Sequence, residues 1–157
     1  MKTIILYATK YGAAAEIARR VAAYIDSATV HDLKHPAPNL TGYDCVIVGS
    51  SVYAGIFRKE ARTFLSQSAD VLPQKKLGLF VSGMSSGEAQ KVFEVNVPKE
   101  VMQSAKAAVF LGGIFDPKKT NFLERFIMKI ATKHSEYTDK IDNAKIKEFA
   151  ELITNET

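Results

Sequence analysis

Apolar residues form five short runs along the chain, each bounded by polar or glycine-rich turns. The first run, Thr3 to Tyr7, has the character of a strand that is covered on both faces in a parallel sheet. The four later predicted strands are Thr29 to Leu33, Asp44 to Ser51, Lys76 to Ser82 and Ala107 to Leu111. The hydrophobic pattern therefore predicts five parallel strands.

Helical patterns separate these strands. The first predicted helix covers Ala13 to Ile25, with Ile17 and Val21 on its apolar face. The second predicted helix follows the loop after the third strand, carries Phe57 on its inner face and stops before Pro73. The later ones cover Glu88 to Ala105, with a break at Asn96 to Pro98, then Phe122 to Ala131 and Asp142 to Ile153. Alternating strands and helices predict a doubly wound α/β sheet, and the length suits one domain, 1–157.

The turn after the first strand carries the clearest chemical signal. This turn and the start of the following helix comprise Thr9, Lys10, Tyr11, Gly12, Ala13 and Ala14. The free backbone N–H groups and positive dipole end of a helix coincide at such a turn, which predicts a phosphate site. The sequence lacks the three-glycine dinucleotide fingerprint and the Gly-Lys-Thr/Ser of ATP-binding loops. An ordinary strand-to-helix turn capped by Thr9 is the alternative.

At this turn the chain resembles the flavodoxin-like FMN proteins, whose phosphate loop has the form Thr/Ser-x-Thr/Tyr-Gly-x-Thr. Thr9, Tyr11 and Gly12 match that form, whereas Ala14 stands where the family usually has a hydroxyl. The resemblance implies FMN as cofactor and a flavodoxin-like five-stranded parallel sheet of strand order 2-1-3-4-5. Ligands of such sheets bind at the switch point between the first and third strands.

Two further loops are expected to reach the same edge of the sheet. They comprise Ser51, Val52, Tyr53, Ala54 and Gly55 after the third strand, and Ser82, Gly83, Met84, Ser85 and Ser86 after the fourth. The Tyr53 ring is the candidate for stacking on a flavin, and Met84 is a candidate soft contact on the opposite wall. A structural role for Tyr53 is the alternative, since exposed loop tyrosines are common.

Three longer segments narrow the resemblance. They are GSSVYAG, SGMSSGE and, near the end, GGIFDPKKTNFLERFIMKI followed by YTDKID. Together they are similar to the flavodoxin-domain branch that includes the menaquinone-dependent protoporphyrinogen dehydrogenases. That resemblance implies that the partner is a redox protein or a substrate of the quinone or porphyrinogen type. It implies no nucleic-acid partner. Those dehydrogenases carry a longer segment after the fourth strand, whereas Gly83 to Ser104 is compact here.

Charge separates this chain from a plain electron carrier, because flavodoxins are typically acidic and this chain has a net charge of +4. Most of the excess lies between Asp116 and His134, where five basic residues face two acidic ones. Within that stretch, Thr120 to Lys133 has an apolar arc bordered by Arg125 and Lys129. Two interpretations fit that pattern: a core helix, or a docking surface for an anionic membrane or a membrane-bound quinone-linked partner. The single Cys45 excludes an intramolecular disulfide, and the N-terminus lacks export features. We therefore expect a cytoplasmic protein, with peripheral membrane contact through this segment as one hypothesis.

Two readings from other classes of protein compete with a flavin role. Gly83-Met84-Ser85-Ser86-Gly87 matches the nucleophile elbow of α/β-hydrolases, and Asp116 and His134 follow in the order of their triad. The chain is short for that fold and lacks an HGGG-type oxyanion loop. A phosphate-accepting receiver domain would need an aspartate at a central strand end, where Ser51 and Ser82 stand.

Overall fold

The computed structural model describes residues 1–84, 87–119 and 136–155. Its strands are β1 Thr3–Ala8, β2 Thr29–Asp32, β3 Cys45–Tyr53, β4 Ile56–Phe57, β5 Lys76–Ser82, β6 Ala107–Phe110, β7 Ile114–Phe115 and β8 Thr138–Asp139. Its α-helices are α1 Ala13–Ala22, α2 Lys59–Gln67, α3 Ala89–Asn96, α4 Lys99–Ser104 and α5 Asn143–Thr154. A short 3₁₀ turn covers Leu72–Gln74.

The main sheet has the spatial order β2-β1-β3-β5-β6, and all of these strands run parallel. Counted as parallel strands alone, this is the predicted order 2-1-3-4-5, which is confirmed. The central register places Leu6 beside His31 on one side and Val48 on the other. All the turns that follow β1, β3 and β5 consequently lie at one edge of the sheet.

Helices cover both faces of the sheet, which explains the unbroken apolar runs. Ile4 and Leu6 point into the layer that contains Phe64 of α2 and Phe93 of α3. Ile5 points the other way, into the layer that contains α1 and α5. The predicted burial of Cys45 is confirmed: it is fully buried in that second layer, and desolvation raises the pKa of its thiol.

The helix boundaries agree with the pattern where capping signals are present. The break at Pro98 separates α3 from α4, and the Asp142 carboxylate accepts a 3.0 Å hydrogen bond from the Lys145 amide at the start of α5. The first helix is shorter than predicted and ends at Ala22, because the chain turns at the following residues. The predicted helix over Phe122 to Ala131 lies outside the described residues.

The hydrophobic pattern did not predict two short antiparallel strand pairings. Phe57, expected on a helix, belongs to β4, which pairs with the end of β3. A second small pairing joins β7 to β8. Within the ranges described, no helix has the length and apolarity that crossing a membrane requires.

Candidate functional site

A cavity of about 130 Å³ opens at the carboxyl edge of the sheet, beside the switch point between β1 and β3. Three of the segments around it are the predicted ones, and a fourth follows β6. The lining residues are Thr9, Lys10, Tyr11, Ala13, Ser51, Val52, Tyr53, Arg58, Ser82, Gly83, Met84, Gly113, Ile114, Phe115 and Asp116. The topology thus brings together loops that are far apart in the chain.

The turn after β1 is shaped to leave the start of α1 open. Gly12 has a φ of +100°, a left-handed conformation that favours glycine, and its N–H donates a 2.9 Å hydrogen bond to Thr9 Oγ1. No side chain caps α1. Ala14, which stands where the family pattern has a hydroxyl, is buried in the core. Its side chain therefore gives the turn no hydrogen-bonding group. The backbone donors of the first helical turn therefore face the cavity edge without a side-chain partner.

The negative charge of Glu16, in the first turn of α1, is balanced by two arginines. Glu16 forms salt bridges with Arg19 and with Arg20, the latter at 2.9 Å. The hydrogen bond from Arg19, with a further one from Arg20, holds the pKa of Glu16 at about 2. Its negative charge is thus compensated locally, and it does not offset the positive end of the helix.

One wall of the cavity is the tight hairpin between β3 and β4. Ala54 and Gly55 form its turn with φ of +50° and +78°, and Tyr53 pairs with Ile56 across it. Tyr53 lines the cavity with 53% of its surface exposed. The ammonium group of Lys10 lies 5.9 Å from the centre of the Tyr53 ring, which places a cation beside this wall.

The opposite wall is formed by the end of β5 and by the chain after β6. A Cβ atom at Gly113 would lie 2.7 Å from the Gly83 carbonyl oxygen, so these two backbones approach closely. Met84 lines the cavity here, and Ser82 is buried. Ser85 and Ser86, both predicted ligands, lie outside the described residues.

The sequence pattern did not predict that the segment after β6 and two basic side chains lie at the cavity. Ile114, Phe115 and Asp116 line the cavity, and a Cβ atom at Gly12 would lie 3.7 Å from Lys119 Nζ. The signal was present, since these residues open the GGIFDPKK segment, but nothing in the chain order indicates that it folds back onto the turn after β1.

Arg58 is the second missed cation, and it stands at the start of α2. Its Nε atom is buried and has no hydrogen-bond partner in the described part of the chain, and the Glu60 carboxylate is 4.0 Å away. Arg58 lines the cavity beside Thr9 and Lys10. A buried donor without a partner at a cavity wall fits a ligand that supplies acceptor oxygens or ring nitrogens.

The predicted site residues separate into three groups. Ten line the cavity: Thr9, Lys10, Tyr11, Ala13, Ser51, Val52, Tyr53, Ser82, Gly83 and Met84. Four more lie in the surrounding turns or at the start of α1 without lining the cavity: Gly12, Ala14, Ala54 and Gly55. The last two, Ser85 and Ser86, lie outside the described ranges. For all three groups, contact with a cofactor stays a prediction.

These features define an open α/β protein with a ligand cavity at its topological switch point. The sequence profile of the flavodoxin domain matches residues 4–142. The chain therefore belongs to the flavodoxin domain family. No curated protein sequence matches the chain significantly.

Solved structures share this fold at low sequence identity. Oxidised flavodoxin 2 from Bacillus cereus has a TM-score of 0.64 and 22% identity, with 98% of this chain and 97% of that one covered. A flavodoxin from the domain Archaea has a TM-score of 0.56 and 18% identity over 99% and 100%. A flavoprotein from Lactobacillus acidophilus NCFM, in complex with FMN, has a TM-score of 0.56 and 15% identity over 69% and 92%.

The hydrolase alternative gains no support from the fold or the family. Ser85 and His134, two of its three supposed triad members, lie outside the described residues. Asp116 lines the cavity, and its backbone carbonyl accepts a 3.0 Å hydrogen bond from the Lys119 amide. The family membership instead accounts for the turn at Gly12, which a hydrolase reading leaves unexplained.

Proposed function

We propose that this protein binds FMN in the cavity at the carboxyl edge of the sheet and transfers electrons through it. The observation that carries the proposal is the convergence there of an uncapped helix start, an exposed aromatic wall and a narrow opposite wall. When bound, the flavin supplies the redox chemistry, and the protein supplies binding, orientation and electrostatics.

The phosphate end of FMN fits the turn after β1. The first N–H groups of α1 are aligned donors for an anion, and the Thr9 hydroxyl, which accepts from the Gly12 amide, keeps its own proton to donate. Lys119 Nζ, close to Gly12, adds a positive charge to this end. One phosphate fits this turn, and the pyrophosphate fingerprint of dinucleotide sites is absent.

The ring end fits the space between the two walls. Tyr53 offers an aromatic face on one side, and Met84 and Ile114 offer apolar contacts across the cavity. The buried Nε–H of Arg58, which makes no hydrogen bond within the described residues, is a donor for a polar atom of the ligand. A flat, partly apolar ring with polar edges suits this combination of surfaces.

Cofactor identity is the direct test. We expect protein purified without denaturants to release FMN on heating, identified by mass, and FMN to rebind the stripped protein. Release of FAD, or no flavin after reconstitution, would contradict the proposal. Thr9→Ala should weaken FMN roughly tenfold, the usual scale for a hydrogen bond to a charged group, whereas Thr9→Ser should retain affinity.

We further propose a quinone-linked oxidation of a porphyrinogen-type substrate as the specific reaction. The segment that supports this hypothesis, GGIFDPKK, contributes Gly113 to Asp116 to the cavity lining. Anaerobic FMN-loaded protein should oxidise protoporphyrinogen with a menaquinone analogue as acceptor, at a rate above that of free FMN. If the loaded protein exchanges electrons with redox dyes but leaves porphyrinogen unchanged, the general redox role stands and this reaction does not.

Peripheral membrane docking through Thr120 to Lys133 is a separate proposal that depends on sequence alone. The protein should sediment with vesicles in proportion to their anionic lipid content, and less so at high salt. The double variant Arg125→Glu, Lys129→Glu should lower the fraction of protein that sediments. Protein that remains in the supernatant at every lipid composition would contradict docking.

A further inference from the structure

Asn96 is a buried polar side chain at the end of α3, with 7% of its surface exposed. Its Oδ1 accepts a 2.9 Å hydrogen bond from the Phe57 amide, and its Nδ2 donates to the Gly55 carbonyl at 2.8 Å. The same Nδ2 donates to the Val92 carbonyl at 2.7 Å within the helix. One amide group thus satisfies backbone groups on both sides of Ile56.

These contacts hold a hairpin that has little support of its own. The antiparallel ladder between β3 and β4 contains two residue pairs, and a Cβ atom at Gly55 would meet no heavy atom within 4 Å. Below the turn, Phe57 packs edge-on against Phe93 at a centroid distance of 6.0 Å. Beside the β3 ladder and the 2.9 Å hydrogen bond from the Arg58 amide to Ser50 Oγ, α3 therefore adds a link between the open turn and the core, with Asn96 as its polar part.

The Asn96 contacts also affect the position of Tyr53. Tyr53 and Ile56 are partners across the hairpin, so fixing the backbone around Ile56 also fixes the Tyr53 wall. Asn96 consequently helps to fix the wall against which the flavin ring is expected to lie.

We propose that Asn96 is a positioning residue that sets the Tyr53 wall of the flavin cavity. The proposal rests on FMN binding as the proposed function. Its physical basis is the cost of leaving the Gly55 carbonyl and the Phe57 amide without their buried partner, a cost the hairpin avoids by moving toward solvent. Displacement of the hairpin moves Tyr53 away from the ring position.

A double-mutant cycle tests this coupling. Asn96→Ala should weaken riboflavin and FMN by the same factor, roughly tenfold, because the phosphate end is untouched. In a Tyr53→Ala background the same change should have little further effect. Bound flavin should also regain fluorescence in Asn96→Ala, since a stacked tyrosine quenches it. Asn96→Ser, which keeps a short polar group, serves if the alanine variant does not fold.

Val101→Ala is the matched control, because Val101 is fully buried in the same core layer on α4. It should lower the free energy of unfolding while leaving flavin affinity and fluorescence as in the wild type. Faster amide exchange at Ile56 and Phe57 should appear in the Asn96 variants and not in this control. Exchange does not depend on flavin, so it reports on the hairpin separately.

Two results would overturn the inference while leaving FMN binding intact. One is wild-type affinity and quenching in the Asn96 variants. The other is an undiminished effect of Asn96→Ala when Tyr53 is already absent. A wild-type protein that binds no flavin overturns the proposed function, and with it the positioning role, and is recognised before any variant is compared.

Discussion

At the scale of single residues, Lys119 brings a positive charge close to the turn after β1. Ala13 and Ala14 bring no hydroxyl to the turn after β1, whereas Lys119 Nζ lies 3.7 Å from a Cβ position at Gly12. We expect an ammonium group at this distance to compensate part of the missing hydrogen bonding to a phosphate through its charge. We expect it to leave the binding of the ring unaffected.

Lys119→Met should therefore weaken FMN by roughly three- to tenfold and leave riboflavin affinity unchanged, because an exposed charge–phosphate contact is partly screened. Lys118→Met is the matched control, since Lys118 is an equally exposed neighbour. Titrations at low and high salt should show the difference shrinking as salt rises. A loss that is equal for both flavins would instead indicate a structural effect.

Glu16 makes stability depend on pH in a definite direction. Its pKa falls from an ordinary 4.5 to about 2 in the folded protein through Arg19 and Arg20. A lowered folded pKa stabilises the protein above pH 4.5, and this contribution is lost as the pH falls toward 2. Arg19 is 68% exposed, so we expect about 1 kcal/mol after solvent screening.

Urea unfolding of wild type and Glu16→Gln between pH 2 and 7 measures this contribution. The free energies of unfolding should differ by about 1 kcal/mol near pH 6 and converge near pH 2. A difference that is constant over the whole range would mean that the carboxylate charge is not responsible.

At the scale of elements, Arg20 braces α1 against the fourth cavity segment. Its guanidinium donates to Glu16 on its own helix, to Asp139 of β8 at 3.1 Å and to Asn143 of α5 at 3.1 Å. Because β8 pairs with β7, whose Ile114 and Phe115 line the cavity, this brace supports a wall of the site.

Arg20→Met should lower the free energy of unfolding by about 1 kcal/mol and speed amide exchange at Phe115. Arg19→Met is the control, because Arg19 contacts Glu16 and is mostly exposed. If both variants change exchange at Phe115 equally, the ion pair within α1 is responsible and the brace is not.

The elements also show what a sequence can predict. Long apolar runs and capping signals identified β1, β3, β5 and the helices, because hydrophobic periodicity and end signals act within one element. β4, β7 and β8 have two residues each, too few to show a period. β4 pairs with the end of β3 across a two-residue turn, whereas β7 and β8 come from segments far apart in the chain.

At the scale of the whole molecule, strand order predicted the position of the cavity but not all of the residues that line it. Parallel strands and right-handed crossovers suffice to bring Thr9, Tyr53 and Met84 to one edge. The positions of Arg58 and Lys119 depend on how their segments fold back over that edge. No local pattern records such a fold, which is why both cations were missed.

The positive charge of the whole molecule has a kinetic consequence. The chain carries a net charge of +4, and bound FMN would bring about two negative charges on its phosphate. The loaded protein therefore remains cationic, and Lys10 and Arg58 lie at the cavity itself. Encounters with anionic reagents should be accelerated by this field, and encounters with cationic reagents should be slowed.

The expectation is tested by loading the protein with FMN, reducing the flavin, and measuring the rate at which two inorganic oxidants of opposite charge reoxidise it. The rate with hexacyanoferrate(III), an anion, should fall as ionic strength rises, because salt screens the attraction. The rate with hexaamminecobalt(III), a cation, should rise over the same range, since the screened interaction is repulsive. The double variant Lys10→Gln, Lys118→Gln should reduce both slopes. Identical salt dependence with the two oxidants would show that electrons leave the cavity through a surface without net positive charge, and an acidic redox partner would then have no electrostatic advantage.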